Sequence, residues 1–347
     1  MKLTQRNVSL DFFRGIMSLL VCIGHMYYWN HNIAMPLSFI LAVDFFLVLS
    51  GFVIAASVLN NDNFDAINFA KKRYQRLFPV YITCIILSVP LFIIWKELPH
   101  PNAFDLFKII TISQMIPSNS RSDFPLIEPM GVANTISAEL LIGILIFPLV
   151  YFLEKKAKAI TAPFLLVLIL FSFLKINLDS PDFMNINYRL AYSFIPYGVL
   201  RCLMDYAIGI LCYQLLIRSG STESYLKESL IQLLCISAFF FLFCKMQYNR
   251  NNEILSPLLF GVFIYSLSKA SGAVFKLTNN KLGVFLGDIS YPIYLIHPVL
   301  IFIFSKIMNF STTPIVMICY LTACILSAFI INRIIEKPSM DYFSRSR

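Results

Sequence analysis

The first long apolar run of the chain carries an arginine and a histidine: Leu10-Asp11-Phe12-Phe13-Arg14-Gly15-Ile16-Met17-Ser18-Leu19-Leu20-Val21-Cys22-Ile23-Gly24-His25. Eleven residues of helix make about three full turns, so Arg14 and His25 share one face, roughly 16 Å apart along the axis. Ser18 and Cys22 lie near the same stripe. Ionisable groups within an apolar span are costly and mark function by default. An imidazole can take a proton near neutral pH. A guanidinium matches phosphate or carboxylate oxygens with its planar fork. Taken singly, Arg14 reads as a snorkelling interfacial anchor and His25 as a buried histidine bonded to a neighbouring helix. Their shared face weighs against both readings.

Further polar groups interrupt later runs. Asp44 stands in Ala42-Val43-Asp44-Phe45-Phe46-Leu47-Val48-Leu49-Ser50-Gly51-Phe52. A carboxylate there is placed to orient His25 by taking one ring N–H. Ser50 and Gly51 are small enough for close helix approach, and a ligand role is equally open to them. Lys71-Lys72-Arg73-Tyr74-Gln75-Arg76 precedes another run. It reads as an anchor for anionic lipid or, more sharply, as a phosphate clamp centred on Arg73 and Arg76. Glu139 follows Asn134-Thr135-Ile136-Ser137-Ala138 and needs a partner or a task. Tyr294-Leu295-Ile296-His297 places a second histidine within a span, whereas His31 and His100 read as loop residues. Glu336-Lys337-Pro338 reads by itself as a helix exit.

The elements that position these groups follow from composition. Of 347 residues, 58% are hydrophobic and 14% charged. A soluble domain has about 25% charged residues, so the polar surface is too small for a water-soluble enzyme. Disorder is excluded by the abundance of apolar side chains. Unbroken apolar runs replace the alternation of a membrane β-barrel. The sequence predicts an all-α polytopic membrane bundle of about ten transmembrane helices, near 10–29, 34–59, 77–95, 131–153, 160–178, 198–217, 229–248, 254–274, 283–305 and 313–335. The first run is too long for a signal peptide core and lacks a small-x-small cleavage site. With the termini inside, 18 of the 28 Lys and Arg fall on that side and 9 opposite, with Arg14 inside the first span. That bias predicts cytoplasmic termini and accounts for the net charge of +9 without nucleic acid. The eight cysteines form no Cys-x-x-Cys and sit mostly in apolar runs. They read as buried hydrophobes, with neither a disulfide framework nor a metal site. The long Pro-rich connection at 96–130 is either the lining of an outer binding site or a surface loop.

Together these segments resemble acyltransferase family 3, the integral membrane proteins that include bacterial O-antigen and exopolysaccharide O-acetyltransferases. The likeness rests on Arg14-x10-His25, Val43-Asp44 with Ser50-Gly51-Phe52, Arg73-x-x-Arg76, the glutamate motif at Glu139, Tyr294 to His297, and Glu336-Lys337-Pro338. Leu47 stands where the family usually has Phe, and Asn134 where it usually has Trp, so acceptor specificity does not carry over. The resemblance implies a single transmembrane acyltransferase domain over 1–347, without the extracytoplasmic hydrolase-like domain of longer relatives, in a bacterial inner membrane. It implies an acyl group, acetyl by default, passing from cytosolic acyl-CoA to a hydroxyl of a surface glycan or its lipid-linked precursor. Arg14, Arg73 and Arg76, with Ser50 and Gly51, would hold acetyl-CoA at the inner face. His25 would act as base, with Glu139 and Asp44 in the catalytic set, and His297 and Tyr294 would hold the acceptor or the oxyanion. A route through an acylated histidine is equally open. The alternative class is a proton-coupled transporter or glycolipid flippase using Asp44, His25 and Glu139 as a relay. A non-catalytic membrane subunit would leave the histidine and arginines unexplained.

Overall fold

The computed structural model describes residues 6–28, 39, 41–95, 103–116, 132–179, 190–191, 195–219, 224–245, 255–308 and 313–345. His31, His100 and much of the connection at 96–130 lie outside them. The chain is a helical bundle of α1 (Val8–Tyr28), α2 (Leu41–Leu59), α3 (Ala66–Trp95), α4 (Ala103–Thr111), α5 (Ala133–Lys156), α6 (Lys158–Asp179), α7 (Tyr197–Arg218), α8 (Tyr225–Lys245), α9 (Leu255–Ser268), α10 (Ala273–Thr278), α11 (Lys281–Met308), α12 (Pro314–Ile331) and α13 (Lys337–Arg345). Two-residue strands, β1 (Leu190–Ala191) and β2 (Ile195–Pro196), pair antiparallel before α7.

Among the described residues nine helices are long and apolar enough to cross a membrane. The expected span at 254–274 differs. Its helix ends at Ser268, where Ala270 at φ 55° and Gly272 at φ 103° turn the chain into the short α10. Fourteen helical residues rise about 21 Å, short of the roughly 30 Å hydrocarbon core. The chain nevertheless begins and finishes at one end of the bundle. Arg6, ahead of α1, binds Asp288 at 2.7 Å, and Lys337, after α12, binds the same carboxylate at 2.8 Å. Return to one end requires an even number of crossings, so α9 counts as the tenth. Lys71, Lys72 and Lys155 belong to this basic end too: Asp62, just after α2, binds Lys155 at 2.9 Å, and α3 starts there.

Three helices, α2, α7 and α11, form the centre, while α6 and α12 present apolar side chains such as Leu166, Val167, Ile318 and Leu326 outward. Two tight crossings fix the centre. In α2 against α7, a Cβ on Gly51 would stand 2.6 Å from the Tyr206 carbonyl oxygen, and one on Gly209 would collide with the Val48 carbonyl. In α1 against α11, Gly15 meets Leu286 and Gly287 meets Asp11. Small residues let helix backbones approach in lipid, where no hydrophobic effect drives them together. Gly51→Val is therefore expected to destabilise the bundle by about 1–3 kcal/mol, read as a lower midpoint of thermal unfolding in detergent. An unchanged midpoint would show that α2 and α7 can separate.

The described part of the long connection packs into the bundle. Tyr74 of α3 donates its hydroxyl to the Ile110 carbonyl at 2.6 Å, and Gln114 bonds the Tyr81 hydroxyl. The Met115 N–H donates to Ser137 Oγ of α5 at 3.0 Å. Tyr81 lies halfway along α3, so 103–116 enters the bundle and turns back at Ile112, which takes φ 53°. Irregular backbone at that depth is stable only where protein or a polar cavity satisfies it; here Ser113 N–H donates to the Lys108 carbonyl, Ile116 N–H to the Ser113 carbonyl and Met115 N–H to Ser137 Oγ.

Candidate active site

Helix α11 is the spine of the site. Arg14 donates Nε to Ser290 Oγ at 2.8 Å and Nη2 to the Gly287 carbonyl at 2.6 Å, and lies 3.6 Å from Asp11. His25 meets His297 two turns further along α11, with Nδ1 of one 2.9 Å from Nε2 of the other. Both side chains expected on one face of α1 thus face α11. The seven helical steps from Ser290 to His297 rise about 10 Å.

Beside Arg14 the structure gathers a mixed cluster of charges. Arg73, buried, donates Nη2 to Glu139 Oε1 at 2.7 Å, and Ser50 donates its hydroxyl to the same oxygen at 3.0 Å. Arg73 Nε is buried with no partner among the described residues. Arg76, one turn on, has an exposed side chain and lies within electrostatic reach of Arg14, Arg73, Glu139 and Glu336. Glu336 arrives through a π turn at Asn332–Glu336. Asn332 Nδ2 donates to the Asp288 carbonyl and to Glu336 Oε2, each at 2.8 Å. Single π turns recur at functional sites because they re-aim a side chain. Counting the adjoining pairs, Arg6, Arg14, Arg73, Arg76 and Lys337 stand against Asp11, Asp288, Glu139 and Glu336, which leaves net positive charge, and an accessible arginine with an unused buried N–H beside it suits a polyanion.

The histidine pair has a definite hydrogen-bond sense. Nδ1 of His297 faces the Ile293 carbonyl at 3.3 Å, and a carbonyl can only accept. A proton on that nitrogen makes His297 Nε2 the acceptor, so His25 Nδ1–H donates to it. The basic lone pair of His25 is then on Nε2. This is the arrangement of a base whose second nitrogen is oriented by a third group. The rings stack at 5.0 Å with 12° between planes, and Tyr294 closes over His297 edge-on at 6.0 Å. Tyr294 is buried, with its hydroxyl 3.5 Å from the Val132 carbonyl.

The structure rearranges some expected partnerships. Asp44, expected beside His25, accepts Arg201 Nε at 2.5 Å on one oxygen and the Ser256 hydroxyl at 3.0 Å on the other. It faces α7 and α9, where a guanidinium is the stronger partner, and His297 takes the orienting position. Gly51 lies against the α7 backbone, which leaves it a packing residue with no room for a ligand. Ser50 faces Glu139. Asp11, Ser290, Arg201, Asp205 and Ser256 stand in or beside these networks without having been singled out, and Glu336, read from the sequence as part of a helix exit, joins the arginine cluster. Arg201 and Asp205 carry a legible signal, an opposite-charge pair at helical i, i+4 spacing inside an apolar run. Glu336 was legible only as a motif residue at a helix exit, and its place beside the arginines comes from the π turn that aims it inward.

The family model described as "Acyltransferase domain" matches residues 7–333. The chain belongs to acyltransferase family 3. Over 105 residues the chain is 32% identical to "Protein 2 in picA locus" of Rhizobium radiobacter, a stretch covering 29% of the chain and 53% of that relative. The chain thus spans about half the length of the curated relative it matches. No solved structure matches the chain.

Proposed function

We propose that this membrane acyltransferase moves an acetyl group from cytosolic acetyl-CoA to a hydroxyl of a cell-surface glycan or its lipid-linked precursor, in a bacterial inner membrane. The observation that carries the reading is the polar line along α11, from the arginine cluster beside Arg14 to the His25–His297 pair. An acyl-CoA has a polyanionic nucleotide end and a neutral arm that ends in the thioester. The cluster is suited to the first, and a basic imidazole deeper in the bundle to the chemistry at the second. Arg76, with Arg14 and the spare N–H of Arg73, holds phosphate oxygens. His25 Nε2 takes the proton of the acceptor hydroxyl as its oxygen attacks the thioester carbonyl. The C–O bond forms, the C–S bond breaks, and His25 returns the proton to the departing thiolate. His297 keeps the His25 ring in the productive tautomer throughout. The basic end then faces the cytosol, in accord with the Lys and Arg bias.

The test is inverted membrane vesicles containing the transferase, given acetyl-labelled CoA and their native glycolipid. Label is expected in the glycolipid, released by mild base as an ester. Glycolipid that crosses the bilayer unmodified would overturn the reading in favour of a transporter.

A further inference from the structure

Pro292 lies inside α11, and a proline has no N–H for the carbonyl four residues earlier. That carbonyl belongs to Asp288. Its donor comes from another helix. Asn332, buried just after α12, gives it an Nδ2–H at 2.8 Å and gives the second N–H of the same amide to Glu336 Oε2, also at 2.8 Å. Both partners only accept, which fixes the orientation of the amide. The Asp288 carboxylate meanwhile takes Arg6 at 2.7 Å and Lys337 at 2.8 Å. One residue of α11 therefore pins both ends of the π turn, Asn332 through its carbonyl and Lys337 through its side chain. Pro338 accounts for the turn itself. In an α turn its ring would press on the Ile334 carbonyl; the chain opens instead, and the Lys337 N–H reaches back five residues to the Asn332 carbonyl.

Gly287, the residue before Asp288, gives its own carbonyl to Arg14 Nη2 at 2.6 Å. Two successive carbonyls of α11 thus hold the Arg14 guanidinium and, through Asn332, the Glu336 carboxylate. Arg76 of α3, with its exposed side chain, stands within electrostatic reach of both. Arg14 and Arg76 are like charges on separate helices, and their repulsion would turn the long Arg76 side chain out into water. A carboxylate facing both offsets that repulsion, provided that it is itself held. The buried amide of Asn332 holds it. We propose that Asn332 is a positioning residue of the acyl-CoA site: it ties Glu336 to the carbonyl that Pro292 leaves open, and Glu336 so held keeps Arg14 and Arg76 together for the phosphates. The role in binding rests on the transferase reading above; the tie does not.

Four proteins in lipid nanodiscs test this: the wild type, Asn332→Leu, the double variant Pro292→Ala with Asn332→Leu, and Glu336→Gln. From each are read the midpoint of thermal unfolding and, with the native glycolipid present, kcat and the acetyl-CoA KM. Asn332→Leu leaves the Asp288 carbonyl without a donor, so its midpoint is expected to fall. Pro292→Ala returns a helix N–H to that carbonyl, and the double variant is expected to regain the wild-type midpoint. Its acetyl-CoA KM is expected to stay about tenfold above the wild type, the effect of losing one hydrogen bond to a charged group, with kcat unchanged, because Glu336 is still untied. Glu336→Gln keeps an acceptor for Asn332 and loses only the charge. Its midpoint is expected to hold while its acetyl-CoA KM rises by a similar factor. A midpoint that stays put in Asn332→Leu, or that Pro292→Ala does not restore, overturns the tie. A KM that recovers together with the midpoint in the double variant makes Asn332 a brace of the fold and overturns the positioning role. A KM that falls or stays level in Glu336→Gln shows a carboxylate that merely opposes the phosphates or ignores them, and overturns its place between the arginines. Absence of acetyl-CoA turnover in the wild type counts against the transferase reading itself, and the midpoints still decide the tie.

Discussion

His25→Ala is expected to lower acyl transfer by about 10²- to 10⁴-fold, the range contributed by a positioned general base, while the protein inserts and accumulates as the wild type does. The loss follows from the hydrogen-bond sense of the histidine pair. His297 is anchored to its own helix through the Ile293 carbonyl and presents Nε2 to His25, so the productive lone pair belongs to His25. His297→Gln tests the division of labour. Its side chain can still accept from His25 Nδ1–H, so a smaller loss is expected than for His25→Ala. The measurement is the initial rate of label transfer in vesicles, normalised to protein in the membrane. Equal losses in both variants would make the two rings a single unit. Full activity in His25→Ala would remove the base altogether.

Arg76→Ala and Arg73→Ala are expected to fail in different ways, although the two arginines are three residues apart. Arg76 has an exposed side chain within the field of two other arginines. Removing it leaves no buried partner stranded. The expected result is an acetyl-CoA KM raised about 10- to 100-fold, the value of one charge-assisted hydrogen bond of about 1.5–3 kcal/mol, with accumulation and acceptor KM unchanged. Arg73 is the buried partner of Glu139. Its loss strands a carboxylate in the bundle, which costs about 3–5 kcal/mol, so Arg73→Ala is expected to lose folded protein first. The paired change Arg73→Met with Glu139→Leu removes both charges and is expected to recover accumulation without recovering acetyl-CoA affinity. Quantitative blotting of membranes beside substrate saturation curves separates these outcomes. An unaltered acetyl-CoA KM in Arg76→Ala would sink the clamp.

The sequence by itself determined the class, the approximate spans and the face shared by Arg14 and His25. All three depend on composition and on the period of one helix, which are local properties. It also marked Glu139 and His297 as costly groups within spans, and Arg73 and Arg76 as a lipid anchor or phosphate clamp just ahead of one. Which of them meet was decided only by the tertiary structure, because partner choice depends on how helices rotate and cross. The glycine contacts at Gly51 and Gly209 press α2 onto α7, which turns Asp44 toward Arg201 and leaves His297 to His25. The π turn at Asn332–Glu336 adds a backbone step that no side-chain pattern encodes, and so brings Glu336 to the arginines. The even count of crossings was legible in the ten apolar runs and the Lys and Arg bias; the structure adds that the run at 254–274 holds only a fourteen-residue helix, and the pairing of Arg6 and Lys337 on Asp288 brings the chain back to the end where it began.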